Sequence, residues 1–216
     1  MRHNYTLMLV TDERTFADRP IEDVVALALR GGATMVQLRH KLLPARELVA
    51  LGRALHAITR AAGVPLVVND RVDVALAIGA EGAHVGQGDM PARDARALLG
   101  PQAILGVSTA TLDEAWAARA DGASYLGVGD IFGTASKDDA GAPVGLARLR
   151  QIAAAVGLPV VAIGGITVAN APQVAAAGAA GAAVISAIVG VPDPEVAARL
   201  LRRAFEHELS QTIGKE

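Results

Sequence analysis

Asp70 and Asp89 close two neighbouring stretches of the same make, Leu66-Val67-Val68-Asn69-Asp70 and Ala83-His84-Val85-Gly86-Gln87-Gly88-Asp89. If both apolar runs are parallel strands, the two carboxylates lie side by side on one rim, where hard oxygens suit Mg²⁺ and not a soft-metal cage. Mg²⁺ is often held by one or two carboxylates together with substrate phosphates, so the pair points to phosphate chemistry. Each aspartate alone reads equally well as a helix cap, Asp70 for a helix beginning at Val72 and Asp89 for one opened by Pro91.

The other apolar runs also end in polar groups. Gln37-Leu38-Arg39-His40-Lys41 sets an amide and two permanent cations at one position, suited to a diphosphate or, more simply, to a solvated basic turn. Asn69 precedes Asp70 at the same mouth. Ser108, in Gly106-Val107-Ser108-Thr109, offers a small hydroxyl that could bond a leaving oxygen or start the next helix. The segment Gly127-Val128-Gly129-Asp130-Ile131-Phe132-Gly133-Thr134-Ala135-Ser136-Lys137 reads as a phosphate clasp that ends in a cation. It lacks the Gly-Lys-Ser/Thr ending of a P-loop, and its glycines miss the dinucleotide fingerprint by one residue. Gly164-Gly165 and Ser186 place backbone amides and a hydroxyl where many barrels bind a phosphate monoester, although such glycines also serve tight turns alone.

These positions need a scaffold that delivers strand ends to one rim. Eight short apolar runs, at 7–10, 35–38, 65–69, 82–85, 104–108, 125–128, 159–163 and 182–185, alternate with amphipathic segments. That pattern predicts parallel strands covered by helices, and eight such units predict a closed (β/α)₈ TIM barrel, an α/β fold. Pro44 opens a helical segment reaching Ala62, and Asn170-Ala171-Pro172 reads as a cap and first turn of a helix ended by Gly178. Trp116, on a helix from 113 to 120, reads as a packing residue, and His84 as a packed strand histidine. His56 lies within a helical pattern, and His40 reads as functional or solvated alike. The five histidines show no paired metal-ligand spacing.

Composition limits the remaining classes. The chain has 216 residues, 52% hydrophobic and 19% charged, which predicts one domain over residues 1–216. A formal net charge of −2 provides no global basic field for nucleic acid or an anionic membrane, so any anion site is local. Without cysteine there is no disulfide framework and no thiolate site, which is compatible with the cytoplasm. The uncharged stretch 174–191 is Ala-rich, broken by Gly178, Gly181 and Gly190, and reads as a helix end, a buried strand and a loop, not a membrane span.

Five ordered motifs carry a resemblance over nearly the whole chain: Gln37 to Lys41, Val68-Asn69-Asp70-Arg71-Val72-Asp73-Val74-Ala75, His84-Val85-Gly86-Gln87-Gly88-Asp89, Gly106-Val107-Ser108 and Ile163-Gly164-Gly165-Ile166. The chain closely resembles the thiamine phosphate synthase family. The resemblance implies transfer of a pyrimidinylmethyl group from its diphosphate ester to the nitrogen of a thiazole phosphate, releasing pyrophosphate and, for a carboxylated thiazole, losing the carboxylate. It implies that Gln37, Leu38, Arg39, His40, Lys41, Asn69, Ser108 and Lys137 bind the pyrimidine diphosphate, Leu38 and His40 through backbone. It further implies Thr134, Ala135, Ser136, Gly165, Ile185 and Ser186 for the thiazole phosphate, and Asp70 and Asp89 for Mg²⁺. Arg39, Lys41, Ser108 and Lys137 then act on the leaving group. No redox cofactor, nucleic acid or membrane is implied, and a homo-oligomer is compatible with the sequence.

The sixth loop departs from the family pattern, with Asp130 and Gly133 where prolines are usual and Ser136 for threonine. Asp130 adds a negative charge near two anionic substrates, so it points away, touches a metal-linked water, or weakens the site. Two rival readings are a thiazole tautomerase-like isomerase and a non-catalytic phosphate-ligand sensor. The tautomerase relatives carry a histidine soon after the fifth-strand serine, whereas Thr109-Ala110-Thr111 follows Ser108 here.

Overall fold

Strands of four to six residues buried on both faces cannot stand alone, and here eight of them satisfy each other's backbone groups in one ring. A computed structural model describes residues 3–133 and 143–213, with the backbone alone for 209–213. The strands are β1 Leu7–Val10, β2 Met35–Leu38, β3 Leu66–Asn69, β4 Gly82–Val85, β5 Ile104–Thr109, β6 Tyr125–Val128, β7 Val160–Ile163 and β8 Gly181–Val184. They pair in sequence order and in parallel, and β8 returns to β1 with Leu7 opposite Ala182 and Leu9 opposite Val184, closing a (β/α)₈ barrel.

The helices are α1 Ile21–Arg30, α2 Ala45–Ala61, α3 Val72–Ile78, α4 Ala92–Leu99, α5 Leu112–Ala120, α6 Gly145–Val156, α7 Ala171–Ala176, α8 Ser186–Val189 and α9 Pro194–Ile213. Each of the first seven follows the strand of the same number and lays an apolar stripe on the sheet, as Val24, Val25 and Ala28 of α1 show. The long α9 packs against both α7 and α1, covering the seam where the last unit meets the first. Among the described residues, no helix is long and apolar enough to cross a membrane.

Strand bounds follow the apolar runs to within about one residue, and two of the differences have a chemical cause. Pro65 and Pro159 lie just outside β3 and β7 because proline has no N–H for the ladder, while their carbonyls accept from Val36 (3.1 Å) and Leu126 (2.9 Å). The stretch expected to be a loop after the eighth strand contains the one-turn helix α8.

Three local expectations are corrected. Trp116 is 45% exposed: Ala115 and Ala118 form the buried face of α5, the next residue points outward, and the Arg119 guanidinium lies 5.4 Å from the indole centroid. Asn170 stands before α7 but makes no capping bond with its side chain. That side chain accepts from Thr167 N (2.7 Å) and donates to Gly165 O (2.9 Å), so it braces the loop after β7. The helix itself ends at Ala176, short of Gly178.

Inside the barrel, rings fill space that glycines vacate. A Cβ on Gly106 would fall onto the Tyr125 ring and the His84 imidazole, and one on Gly127 would press on the same imidazole. Gly106→Ala is therefore expected to destabilise the protein by about 3 kcal/mol through overpacking, read as a lower urea midpoint with unchanged slope.

Candidate active site

With every strand parallel, the carboxyl ends of all eight share one rim, and the loops leaving it surround a cavity of about 630 Å³. That size accommodates a pair of small ligands or one cofactor-sized molecule. Arg39, Lys41, Asn69, Asp70, Asp89 and Ser108 line one part, and Gly165, Ile185 and Ser186 another. β3 and β7 stand four strands apart in a ring of eight, so Asp70 and the glycine turn face each other across the mouth, with Asp89 after the next strand, β4.

Arg39 is locked before any ligand arrives. Its N–H donates to Thr11 Oγ1 and its carbonyl accepts from the same hydroxyl, both at 2.8 Å. Its guanidinium Nη1 donates to Asp12 Oδ2 at 3.0 Å, in an ion pair whose partners are 4% and 3% exposed. Burial pushes the Asp12 carboxyl up, but side-chain and backbone hydrogen bonds from Arg14, followed by the charges of Arg14 and Arg39, hold it below its ordinary value. Thr11 and Asp12 sit immediately past β1, a strand end the sequence reading passed over. Reading the first run like the other seven would have found them.

Neither rim aspartate is a helix cap. Arg71 occupies the cap position of α3 and Pro91 that of α4, without a capping side-chain bond at either. Asp70 takes a left-handed backbone, φ +62°, which aspartate tolerates better than most residues, and its N–H donates to His84 O at 2.7 Å. Asp89 Oδ2 accepts from Gly86 N at 2.7 Å, while Oδ1 accepts no hydrogen bond among the described residues. Two hard carboxylates facing a roomy cavity fit Mg²⁺, which completes its shell with water and phosphate oxygens.

The remaining motif residues differ in what they offer. Gln37 is buried in the barrel and directs Nε2 to Met8 Sδ at 3.6 Å. Leu38 turns outward to the position of Gly52 on α2, and His40 Nδ1 accepts from Leu42 and Leu43 N–H groups, so neither side chain lines the cavity. Gln87 Nε2 donates to Ser108 O at 2.6 Å and pins the end of β5. His84 is packed as expected, but it also bonds Ser108 Oγ and Tyr125 Oη, each at 2.9 Å. Burial raises the Tyr125 hydroxyl far above its usual range, with Tyr5 adding to the effect and a Gln37 hydrogen bond opposing it. Burial likewise pushes Tyr5 up to about 12.

On the far side, Gly164 and Gly165 adopt φ of +107° and +63°, and a Cβ on Gly165 would meet the backbone of Gly133. Asp130 lines the cavity, yet its Oδ1 accepts from Gly133 N at 3.1 Å and its carboxylate covers Gly164. Its charge is thus partly engaged by the turn that it forms. Thr134, Ala135, Ser136 and Lys137 lie outside the described residues.

A phosphate-handling barrel transferase is the class that this fold and rim define. The family description "Thiamine monophosphate synthase" matches residues 7–188. Thiamine-phosphate synthase of Roseiflexus castenholzii is 60% identical over 193 residues, covering 89% of this chain and 85% of the relative. The Moorella thermoacetica protein of the same name is 57% identical over 198 residues, 92% of this chain and 94% of its own. Among solved structures, thiamine phosphate pyrophosphorylase from Pyrococcus furiosus superimposes with a TM-score of 0.87 at 41% identity, over 96% of this chain and 98% of that one. The chain belongs to the thiamine monophosphate synthase family.

The Asp12–Arg39 pair leads to a pH-dependent expectation. Because the folded carboxyl is held below its unfolded value of about 4, its stabilisation is fully present above that pH. It is lost as pH falls through the folded value. Asp12→Asn is expected to cost about 3 kcal/mol at neutral pH by leaving Arg39 buried and unpaired. The variant's urea midpoint should then fall less steeply below pH 4 than that of the unaltered protein.

Proposed function

We propose that the chain is a thiamine phosphate synthase: it joins 4-amino-2-methyl-5-(diphosphooxymethyl)pyrimidine to a thiazole phosphate, giving thiamine phosphate and pyrophosphate. The observation that carries this reading is one cavity lined by Arg39, Lys41 and two carboxylates and, from the ends of β7 and β8, by Gly165 and Ser186. A diphosphate and a phosphate monoester thus find separate walls. Residues 1–216 act as one catalytic domain, and a homo-oligomer is compatible with this reading.

Arg39, Lys41, Asn69 and Ser108 bind the pyrimidine diphosphate with Lys137, while Gln37 supports them from within the barrel and Leu38 and His40 contribute backbone. Gly165, Ile185 and Ser186, with Thr134, Ala135 and Ser136, bind the thiazole phosphate. Asp70 and Asp89 hold Mg²⁺, which when bound supplies charge neutralisation beside the diphosphate. The C–O bond of the ester breaks and its electron pair departs on pyrophosphate, whose charge Arg39 and Lys41 meet through preorganised contacts. The amino-substituted pyrimidine stabilises the resulting benzyl-like cation, and the thiazole nitrogen lone pair forms the new C–N bond. A neutral ring nitrogen needs no general base to attack.

Mixing the purified protein with both substrates and Mg²⁺ is expected to yield thiamine phosphate and pyrophosphate in equal amounts; ligand binding without product would contradict the synthase reading. Asp89→Ala should lower Mg²⁺-dependent turnover by roughly two orders of magnitude, comparable to removing one preorganised charge contact. Since the side chain is exposed and makes one hydrogen bond, from Gly86 N, stability should fall by no more than about 1.5 kcal/mol in urea unfolding. Parallel loss of folding and activity would contradict a role confined to the rim.

A further inference from the structure

Ser108 bonds inward to a chain of two buried groups that the reaction itself does not use. His84 Nε2 lies 2.9 Å from Ser108 Oγ, and His84 Nδ1 lies 2.9 Å from Tyr125 Oη. Both His84 and Tyr125 are buried inside the barrel, and the Tyr125 ring packs against Tyr5, tilted by 40° with centroids 5.0 Å apart. A neutral imidazole donates through one nitrogen and accepts through the other, so the two bonds cannot be chosen independently.

The choice is settled at Tyr125. Its buried hydroxyl keeps its proton, since burial raises its pKa strongly. The Tyr125 hydroxyl lies 2.9 Å from His84 Nδ1, while the Gln37 amide turns its nitrogen to Met8 Sδ at 3.6 Å. Among the described residues this leaves His84 Nδ1 as the acceptor for the phenol proton. Were Nδ1 protonated, a buried phenol proton would go without a partner, and a buried unsatisfied donor is strongly disfavoured. His84 Nε2 therefore carries the ring proton and donates it to Ser108 Oγ. With its oxygen already accepting from inside, Ser108 has its own O–H to give to the cavity it lines.

We infer that Tyr125 and His84 set the hydrogen-bond polarity of Ser108, presenting its hydroxyl as a donor to the leaving oxygen of the diphosphate. This rests on the synthase reading; Tyr125 and His84 are positioning residues, and Ser108 is the group that touches substrate. Gln87, by pinning the Ser108 carbonyl at 2.6 Å, keeps the hydroxyl aimed at one place.

Two measurements test the inference. In ¹⁵N-histidine-labelled protein, with the His84 signal assigned by its loss in His84→Gln, the ring shifts should report the Nε2–H tautomer; the Nδ1–H tautomer would overturn the inference. In a double-mutant cycle, Tyr125→Phe should slow pyrophosphate release about ten-fold in the native background and less than about two-fold in Ser108→Ala. Equal losses in both backgrounds would show that Tyr125 acts by packing alone and would also overturn it. If the unaltered protein releases no pyrophosphate from the pyrimidine diphosphate, the synthase reading fails, and the tautomer alone then decides the polarity of Ser108.

Discussion

Parallel hydrogen bonding from β1 round to β8 and back to β1 is the constraint on which everything else rests. A parallel strand cannot turn directly into its neighbour, so each connection crosses outside as a helix and every carboxyl end arrives at the same rim. Polar residues from segments far apart in the chain, such as Asp12 and Ser186, thereby meet around one opening. The same closure leaves little interior space, which is why Gly106 and Gly127 stand where the His84 and Tyr125 rings must fit.

Electrostatics then decides what the rim can do. A cation is costly to bury alone, and Arg39 is stabilised by Asp12 in a pair almost closed to solvent. Fixing the guanidinium in this way reduces what must be ordered when a ligand binds. Asp70 and Asp89 show the converse arrangement, carboxylates kept at the exposed edge, where a hydrated cation can reach them. The negative charge of Asp130, unusual for its family position, is engaged by the Gly133 amide.

Much of the scaffold was legible because β-branched runs and amphipathic spacing are local signals. Strand ends emerged to within a residue, and prolines marked two of the small shifts at Pro65 and Pro159. The rim was legible for the same reason: once strands are placed, the residue after each is a mouth residue, and Arg39, Asn69, Asp70, Asp89, Ser108 and Gly165 all line the cavity. What escaped depends on contacts between distant segments. Asp12 has meaning only beside Arg39, 27 positions away, and His84 only between Ser108 and Tyr125. Asn170 looked like a cap because the residue type and the proline two positions on are right, yet its amide has better partners in the loop before it. Trp116 reads as a packing residue by hydrophobicity alone, whereas small alanines occupy the buried face of α5.

The central claim is that the cationic and carboxylate side of the rim serves a departing diphosphate, with the glycine turn reserved for a second phosphate. A crystal structure of the protein with Mg²⁺ and pyrophosphate tests it most directly. The account expects pyrophosphate against Arg39 and Lys41, with the metal held by Asp70 and Asp89. Pyrophosphate seated instead at Gly165 and Ser186, or a metal away from both aspartates, would contradict it.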